Sequence, residues 1–534
     1  MRNNDDGCFL CASFITRVLL RGPMRNFAIL MTAAIFPALL AGPAAGADYI
    51  QVAGIIDTRT AFSDGELSVE ALTGLAKARG FEAVFFTDHD RLVMEYGIFP
   101  LEHLLRKRET LNSIHEQGAG GYLEAIRQAR RKFPEMILVP GAESVPYYYW
   151  TGSYLDGNLT AHDHEKRLLA VGLEITEDYE HMPILHNGFS TRYAAQFIPQ
   201  LLIFAGVLII GLVLIREKRR LARTVGAIAC VGSALLMVNT MPFRSSPYDQ
   251  YMGDQGIAPY QLYIDFVNSA GGMTFWNYPE TRSGIRPLGP IRLNTPPYPE
   301  VLEQASGYTG FAAIYGDTIT VTEPGRQWDS VLRQYCRGER NQPVWGIATA
   351  DYHRETGAGG ALGNFPTVFL VREKSREDLL EAMRAGRMYA LRSRYPQRMI
   401  LNEFSVSDSI TEETATLGEE IDISGKPRIR MAVSSTAPVD GPVKIRLIRA
   451  GEVIRTLDAT LPFEVETVDE EAEAGVKTYY RLDVRGPAGV LVGNPVFVTP
   501  DQAGVRRRVS LQSTAEGASV MHLASMRRNP NILS

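Results

Sequence analysis

Cysteine is scarce in this sequence: the 534 residues include only four, at positions 8, 11, 230 and 336. Cys8 and Cys11 lie at the extreme N-terminus and Cys230 lies in a very apolar segment, so we expect no disulfide within a folded domain. The Cys-x-x-Cys spacing of the first two could bind a metal or carry redox chemistry. An accidental pair in an unstructured leader is the simpler interpretation.

An excess of basic charge is missing as well. The chain has 55 Lys and Arg against 60 Asp and Glu, a net charge of -5 at pH 7. Because a dedicated nucleic-acid binder has a basic surface, this balance argues against that class of protein. No Gly-x-Ser-x-Gly follows a predicted strand, so a serine hydrolase with a nucleophile elbow is not supported. No Walker or dinucleotide-binding glycine motif occurs in its proper context.

Long hydrophobic runs are present, and the first lies near the N-terminus. Arg25 supplies a basic n-region, residues 27–40 an apolar h-region, and Ala45-Gly-Ala47 a small-residue cleavage site. This pattern predicts that residues 1–47 are a leader and signal peptide, with translation starting at Met1 or at Met24. An uncleaved N-terminal membrane anchor is the alternative. With either, the chain from residue 48 onward is exported.

Two further apolar runs, residues 197–215 and 224–241, are each about long enough to cross a bilayer as a helix. The loop 216–223 between them holds five basic residues and one acid, which predicts a cytoplasmic loop. Residues 197–241 are therefore predicted to be a transmembrane hairpin with both flanks on the exported side, the periplasm in a Gram-negative bacterium. The alternative is a helical pair buried in a soluble core, in which the clustered basic residues would need solvent or partners.

Polar side chains follow several predicted strands. Residues 49–56 read as a strand that leads into the segment 57–65, and a helix with Ser68 as its N-cap follows. The strand 83–86 then leads to Asp88 and His89. In α/β folds such strand ends are where the chemistry is placed. Further residues of this kind flank later strands: Glu143, Arg167, Tyr278, Asp351 and His353.

These segments resemble the motifs of the polymerase and histidinol phosphatase (PHP) superfamily of metal-dependent phosphoesterases. The first family motif is His-x-His-Thr-x-x-Ser-Asp-Gly and the second is Thr-Asp-His. Residues 60–65 match the second half of the first motif and residues 87–89 match the second motif, whereas Asp57 and Arg59 stand where the family has histidines. Arg167 and Tyr278 also replace family histidines, and Asp351-x-His353 matches the last metal motif without change.

The resemblance implies a distorted seven-stranded (β/α) barrel with metals at the strand ends. We expect its two parts at 48–190 and 250–396, interrupted by the hairpin. Alternating strands separated by turns predict an antiparallel β-sandwich at 399–499, and a flexible tail at 501–534. The sequence names no partner for the sandwich.

The family binds up to three metals, and the resemblance implies a different outcome for each position. The first would use Asp57, Arg59, Glu143 and Asp351, but a guanidinium cannot ligate a metal, so Arg59 is expected to replace the ion and to neutralise Glu143 and Asp351. The second would need histidines in place of Arg167 and Tyr278 and is predicted to be lost.

The third metal position would use Asp64, His89 and His353, which are all present. One carboxylate and two imidazoles suit a single Zn²⁺, Fe²⁺ or Mn²⁺. The alternative is a hydrogen-bonded polar cluster without an ion. His162 and His164 could also bind a metal or replace the ligand missing at position 167, but a solvated loop entering a strand is the simpler interpretation.

Two functions remain open from the sequence. The first is a membrane-anchored, exported PHP-type hydrolase with a mononuclear site, acting on an anionic or phosphorylated small molecule. Asp64, His89 and His353 would hold the ion, and Arg59 and Arg167 would stabilise the anionic substrate. The second is a catalytically inactive PHP-fold binding protein in which the two arginines replace metal ions.

Overall fold

The structure is a computed structural model, and it describes residues 49–240, 244–281, 284–317, 319–356 and 360–501. The predicted leader and signal peptide, with Cys8 and Cys11, lie outside these residues, as does nearly all of the predicted tail.

The first part of the chain alternates strands and helices. Its strands are β1 (Ile50–Thr58), β2 (Ala83–Phe86), β3 (Leu92–Gly97), β4 (Arg106–Leu111), β5 (Ile137–Ser144), β6 (Tyr149–Thr151), β7 (Thr160–His162), β8 (Arg167–Val171), β9 (Met273–Asn277), β10 (Gly284–Leu288), β11 (Ile291–Thr295), β12 (Gly310–Ile314), β13 (Trp345–Ala348), β14 (Pro366–Val371) and β15 (Met388–Arg392). Its helices are α1 (Val69–Ala78), α2 (Ile114–Gln117), α3 (Ala119–Lys132), α4 (Thr176–Glu180), α5 (Ala194–Ile215), α6 (Arg220–Thr240), α7 (Ala258–Ser269), α8 (Val301–Gln304), α9 (Gln327–Cys336) and α10 (Arg376–Ala385).

The α/β part is built on one curled, mixed sheet with the strand order β13-β12-β9-β8-β5-β2-β1-β14-β15. Four of the eight neighbouring pairs are parallel; β8 is antiparallel to both β5 and β9, and β14 is antiparallel to both β1 and β15. The interior strands are buried along their length, as expected for a sheet covered on both faces. This mixed α/β architecture with a curled half-barrel sheet fits the PHP-like fold that the motifs indicate.

The sheet curls far enough for the segment after β13 to bond to the end of β1. Ala350 N donates to Ile56 O at 2.9 Å, and Tyr352 N donates to Asp57 O at 3.0 Å. Arg59 N donates back to Tyr352 O at 2.9 Å. The two most distant motifs in the sequence are therefore adjacent in space.

Local sequence signals explain where two of the helices begin and end. The Ser68 hydroxyl accepts a hydrogen bond from Ala71 N at the start of α1, as predicted. The Ser375 hydroxyl accepts one from Asp378 N at the start of α10. Gly386 ends α10 with a φ of 74°, a left-handed conformation that glycine adopts without a steric penalty.

Two apolar helices, α5 and α6, interrupt the α/β part near the predicted positions. Their mean hydropathies are 2.7 and 1.8, and both are long and apolar enough to cross a membrane. They pack against each other through glycines: a Cβ added to Gly226 would lie 2.6 Å from Gly211 O. Close approach through small residues is typical of paired membrane helices. Most of their large apolar side chains point outward and are exposed.

The C-terminal part consists of strands, most of them antiparallel. They are β16 (Met399–Asp408), β17 (Thr414–Thr416), β18 (Glu420–Ile423), β19 (Pro427–Ser435), β20 (Val443–Arg449), β21 (Glu452–Ala459), β22 (Phe463–Val468), β23 (Thr478–Gly486), β24 (Gly489–Gly493) and β25 (Val496–Pro500). One sheet has the order β17-β16-β19-β22, and β24-β23-β20-β21 extend the α/β sheet because β24 pairs with β15. A buried ion pair of 2.6 Å between Arg481 on β23 and Asp329 on α9 joins the two parts.

Candidate metal centre

The predicted site residues converge at one edge of the curled sheet. Asp57 lies near the end of β1, His89 follows β2, and Glu143 lies near the end of β5. Arg167 is the first residue of β8, yet it reaches the same edge because β8 runs antiparallel to its neighbours. His353 joins them from the segment after β13. Arg167 thus lies at the same edge as the other predicted site residues.

Asp64, His89 and His353, called here the ligand trio, each turn a potential ligand atom toward one point. Asp64 Oδ2 lies 3.5 Å from His89 Nε2 and 3.2 Å from His353 Nε2. The three ligand atoms all lie within 4.8 Å of one another. Tetrahedral zinc with bonds of about 2.0–2.2 Å separates its ligand atoms by about 3.3–3.6 Å, so the two distances from Asp64 suit such an ion. Among the described residues it is the one His/Cys/Asp/Glu group with this spacing.

Both histidines of the trio are oriented through their other ring nitrogen. His353 Nδ1 lies 2.9 Å from the backbone oxygen of Asp351 and donates to it, which leaves Nε2 with its lone pair for a ligand. His89 Nδ1 lies 3.3 Å from Glu143 Oε2. Metal-binding histidines are commonly fixed in this way by a carbonyl or carboxylate behind them.

The loop that carries Asp64 is folded around the buried carboxylate of Asp88. Asp88 Oδ1 accepts hydrogen bonds from Thr60 N and Ser63 Oγ, both at 2.7 Å, and Oδ2 accepts one from Thr60 Oγ1 at 2.9 Å. Gly65 completes this turn, because a Cβ there would lie 2.3 Å from Arg59 O. The spacing of residues 60–65 therefore has a structural role: the turn that these residues form directs the Asp64 side chain toward His89.

A second group of residues, called here the arginine cluster, lies directly behind the trio. It consists of Asp57, Arg59, Glu143, Arg167 and Asn277. Arg59 is fully buried, with Nη1 2.5 Å from Asp57 Oδ1 and Nη2 2.7 Å from Glu143 Oε2. The second contact is an ion pair whose angle falls outside that of a hydrogen bond. Arg167 Nη1 donates to Glu143 Oε2 at 2.6 Å.

The predicted partner of Arg59 differs in part from the observed one. We expected Glu143 and Asp351, and within the part of the chain that the structure describes the ion pairs are with Glu143 and Asp57. Asp351 adds only a longer-range attraction. The reason is the backbone of Asp57: its φ of 70° is left-handed, which turns its carboxylate toward Arg59 two residues on. Arg59 is fully buried, and its guanidinium neutralises carboxylates within the protein.

Asn277 and Tyr278 complete the cluster from the end of β9. Asn277 Nδ2 donates to Asp57 Oδ2 at 2.9 Å and to Glu143 Oε1 at 2.7 Å. The Tyr278 hydroxyl also donates to Asp57 Oδ2. Tyr278 was predicted only as a lost ligand, and Asn277 was not predicted as a site residue. The sequence signal that could have identified Asn277 is its place directly after the apolar residues 273–276.

The protonation states of the two groups differ. Burial raises the pKa of Asp57 to about 6, against the attraction of Arg59, so it is ionised at neutral pH. Burial also acts on Glu143, but the charges of Arg167 and Arg59 outweigh it and lower its pKa to about 2. The arginine cluster therefore holds two carboxylates and two guanidiniums and is neutral as a whole.

In the trio, burial lowers the pKa of His89 and keeps its ring neutral. Burial acts in the same direction on His353, but its hydrogen bond to Asp64 outweighs this and raises the pKa of His353. The pKa of Asp64 is lowered because the hydrogen bonds from both histidines outweigh its burial. When His353 is also deprotonated, the trio carries the negative charge of Asp64.

Three residues at this edge have left-handed backbones: Asp57, Tyr278 and Asp351, with φ of 70°, 49° and 47°. Such conformations are sparsely populated by non-glycine residues and are uncommon for a bulky side chain such as tyrosine. They cost about 1–3 kcal/mol each and concentrate at functional sites. The backbone at positions 57 and 278 therefore keeps an unusual conformation where the family histidines are replaced.

The His162 and His164 pair does not join the trio. His162 lies in β7 and stacks on Tyr149, with ring centroids 4.8 Å apart. His164 meets Tyr148 edge to face at 5.2 Å, and burial lowers its pKa to about 4. Both rings have aromatic packing roles, and His162 lies at the end of a short strand rather than in a loop.

No family model and no curated protein matches the chain. Solved structures do match. One is a two-domain protein containing a predicted PHP-like metal-dependent phosphoesterase from Bacteroides vulgatus ATCC 8482, with 10% identity, a TM-score of 0.32, and coverage of 84% of this chain and 96% of that chain. A metal-dependent phosphoesterase, so described, from Bifidobacterium adolescentis ATCC 15703 has 17% identity, a TM-score of 0.26, and coverage of 58% and 90%.

A third match is an amidohydrolase from Chromobacterium violaceum with bound sulfate and no metal, at 14% identity, a TM-score of 0.25, and coverage of 56% and 87%. The structural neighbours thus include one protein described as containing a PHP-like metal-dependent phosphoesterase and another described as a metal-dependent phosphoesterase. Identities and TM-scores this low carry no argument about the chemistry of this chain, which rests on its own residues.

Proposed function

We propose that this protein is a membrane-anchored, exported hydrolase of the PHP type that acts on phosphate esters with a single divalent metal ion. The observation that carries the proposal is the ligand trio, whose three ligand atoms lie within 4.8 Å of one another. Asp64, His89 and His353 would hold the ion. Zn²⁺, Mn²⁺ and Fe²⁺ all accept one carboxylate and two imidazoles. When bound, such an ion polarises a phosphoryl oxygen and lowers the pKa of a water.

Other residues of the site orient the metal ligands and bind the substrate. The Asp351 carbonyl holds His353 in the tautomer that presents Nε2, and Glu143 lies 3.3 Å behind His89 Nδ1. The Arg167 side chain is 20% exposed whereas that of Arg59 is fully buried, so of the two arginines we assign the contact with a bound anion to Arg167. A planar guanidinium matches phosphate oxygens in pairs. We assign substrate binding to Arg167 and charge neutralisation to Arg59.

The hydrolase proposal is tested by assaying the full chain, purified in detergent, against phosphate monoesters and diesters. Zn²⁺, Mn²⁺ and Fe²⁺ are each added back after chelation. We expect hydrolysis that depends on the metal and is lost in His353→Gln. Glu355→Gln is the matched control, because Glu355 lies two residues on and pairs with Arg79 at an exposed position. Turnover that is equal in His353→Gln and in the parent protein would contradict the proposal.

A second candidate is a binding protein without catalysis, and the full burial of Arg59 between Asp57 and Glu143 favours it. In this candidate the guanidiniums supply the positive charge that metal ions would otherwise supply. This candidate predicts that phosphate binds in the presence of a chelator and that no ester is hydrolysed. Arg59→His separates the two: recruitment of additional metal with faster hydrolysis identifies a damaged enzyme, whereas loss of stability alone identifies a structural counter-ion.

We also propose that α5 and α6 form the transmembrane hairpin, with the basic loop 216–223 in the cytoplasm and the other described residues on the periplasmic side. Residues 399–499 would be a β-sandwich module, supported by the period-two burial along β19. For sidedness, a cysteine introduced by Lys218→Cys should resist a membrane-impermeant thiol reagent in spheroplasts and react after lysis. Reaction in intact spheroplasts would reverse the topology.

The packing of the hairpin has its own test. Gly226→Leu puts a large side chain where a Cβ already meets Gly211 O, so the two helices must separate, at a cost of about 1–3 kcal/mol. Gly232→Leu is the matched control on the same helix, because a Cβ there meets nothing within 4 Å. The midpoint temperature of thermal unfolding in detergent should fall for Gly226→Leu and stay unchanged for Gly232→Leu. Equal effects would show that the glycine contact does not hold the hairpin together.

A further inference from the structure

The loop between β3 and β4 is unusually apolar for an exposed segment. Its sequence, residues 98–105, is Ile-Phe-Pro-Leu-Glu-His-Leu-Leu. Ile98, Phe99 and Leu105 are 64%, 84% and 56% exposed. Single exposed apolar residues are common, but several in one short loop mark a contact surface. We call residues 98–105 the apolar loop.

The apolar loop is bonded to the last turn of α6. His103 N donates to Asn239 Oδ1 at 2.9 Å, and Asn239 Nδ2 donates to Pro100 O at 3.3 Å. Asn239 is itself buried, although most of the apolar side chains of α6 are exposed. The two reciprocal bonds fix the loop at the height of the helix end.

A second set of contacts reaches the first turn of α5. Asp249 Oδ2 lies 2.8 Å from His103 Nε2 in the loop and forms an ion pair of 2.5 Å with Arg244. The Arg244 guanidinium lies 5.4 Å from the ring centroid of Phe197, near the start of α5. The apolar loop therefore sits where both apolar helices leave the rest of the protein.

This position determines what the loop can meet. If α5 and α6 span a bilayer, their ends lie at its surface, because each helix is only about as long as the hydrocarbon core is thick. A loop bonded to Asn239 then lies at the same level. Phenylalanine, leucine and isoleucine side chains partition into this interface. The basic residues Arg106, Lys107 and Arg108 follow directly, at exposed positions of β4. Anionic headgroups attract such residues.

We propose that the apolar loop is a second membrane contact, in which Ile98, Phe99 and Leu105 enter the lipid interface on the side where both helices end. The inference rests on the proposed membrane anchoring by α5 and α6. Its consequence is orientation: a hairpin alone would leave the α/β part free to swivel, and the loop gives it a second point of attachment. The occupant is the lipid of the same bilayer, and a protein partner is an outcome of the test.

The test uses the full chain reconstituted into vesicles of phosphatidylcholine and phosphatidylglycerol. The photoreactive residue p-benzoylphenylalanine replaces Phe99 in one variant, Ile209 in a second and Ile410 in a third. Ile209 is 61% exposed in the middle of α5 and reports on anchoring. Ile410 is 67% exposed, follows β16 in the C-terminal part, and matches Phe99 in being an exposed apolar residue of a loop. Crosslinked lipid is measured by mass spectrometry.

We expect lipid adducts at positions 99 and 209 and none at position 410. Lipid adducts at 209 but not at 99, or adducts at 99 with protein alone, would overturn the inference and leave the anchoring intact. Absence of lipid adducts at 209 would overturn the anchoring proposal and, with it, this inference. Equal lipid adducts at 99 and 410 would mean unspecific contact and would also overturn it.

Discussion

The ligand trio and the arginine cluster are neighbours in one site, yet they neutralise their carboxylates in opposite ways. In the arginine cluster, Asp57 and Glu143 are balanced by two guanidiniums, and the charge is internal to the protein. In the trio, Asp64 faces two imidazoles, which bring no fixed charge of their own. One half of the site thus carries its own cations, and the other half retains the donor set of a metal site.

This difference shows two ways in which one site can balance its buried carboxylates. A buried carboxylate without a counter-charge is costly, so a metal ligand can be replaced only together with a source of positive charge. Arg59 supplies that charge at the position of a family histidine. Asn277 and Tyr278 supply the hydrogen bonds that the remaining carboxylate oxygens need. The trio has no such substitute, and we therefore expect it to be the half that still depends on an ion.

The largest expected effect is on the arginine cluster itself. Arg59→Met keeps the volume but leaves Asp57 and Glu143 buried without this charge, and we expect a loss of about 3–5 kcal/mol in the free energy of unfolding. Denaturant titration of the full chain in detergent measures it. Arg127→Met is the control, because Arg127 pairs with Glu124 at the surface, where such pairs contribute about 0–1 kcal/mol. A loss of similar size in both variants would contradict the account.

The next largest effect is that a change in the arginine cluster alters metal binding by the trio. Glu143→Gln weakens the acceptor behind His89 Nδ1, and changes of this kind reduce metal affinity by about 10–100-fold. Competition with a chromogenic chelator measures the affinity of the folded variant for zinc. Glu355→Gln serves as the control. An unchanged affinity would mean that the two halves are independent.

Arg167 should matter for anions more than for stability. Arg167→Gln removes the accessible guanidinium, and the loss of one charge-assisted bond should weaken phosphate binding by about tenfold or more. Calorimetric titration with inorganic phosphate checks this. Arg286→Gln is the control, since Arg286 is 53% exposed and pairs with Glu165. Phosphate binding that survives in Arg167→Gln would assign the anion site elsewhere.

The smallest effect is a dependence on pH that only the trio should show. The hydrogen bond to Asp64 raises the pKa of His353 above its ordinary 6.5 against the effect of burial, and a metal binds only the neutral imidazole. Below that raised pKa, zinc affinity should fall about tenfold per pH unit. The stability of the metal-free protein should change with pH in the opposite direction. Its ion pair between His353 and Asp64 stabilises the fold below pH 6.5 and is lost as pH rises through the raised pKa.

A tenfold fall in zinc affinity per pH unit corresponds to the protonation of one histidine. Burial lowers the pKa of His89, so His89 is already neutral where His353 titrates. Zinc affinity that fell about a hundredfold per pH unit would mean that both rings are protonated together. That result would contradict the difference between the two histidines.

Much of the fold could be predicted because its signals are local. Ser68 and Ser375 precede apolar faces with helical spacing, and both cap a helix. The site residues could be found because each lies at a strand end, where a short motif identifies it. The direction of β8 could not be predicted, since an apolar run carries no information on whether its neighbours are parallel.

The partners of buried charges were harder to predict. Asp57 was expected among the residues of the first metal position, and in the structure its carboxylate pairs with Arg59. The link between Arg481 and Asp329 was not foreseen either. It joins residues 152 positions apart, and no sequence pattern records which sheet β24 will extend.

The most direct test of the central claim is the metal content of the full chain, purified in detergent without chelator or histidine tag. The account predicts about one divalent ion per chain, held by one carboxylate and two imidazoles, and its loss in the Asp64→Asn/His353→Gln double variant. A chain without metal under conditions that load ordinary PHP proteins would contradict the claim. A metal content that does not change in the double variant would contradict it equally.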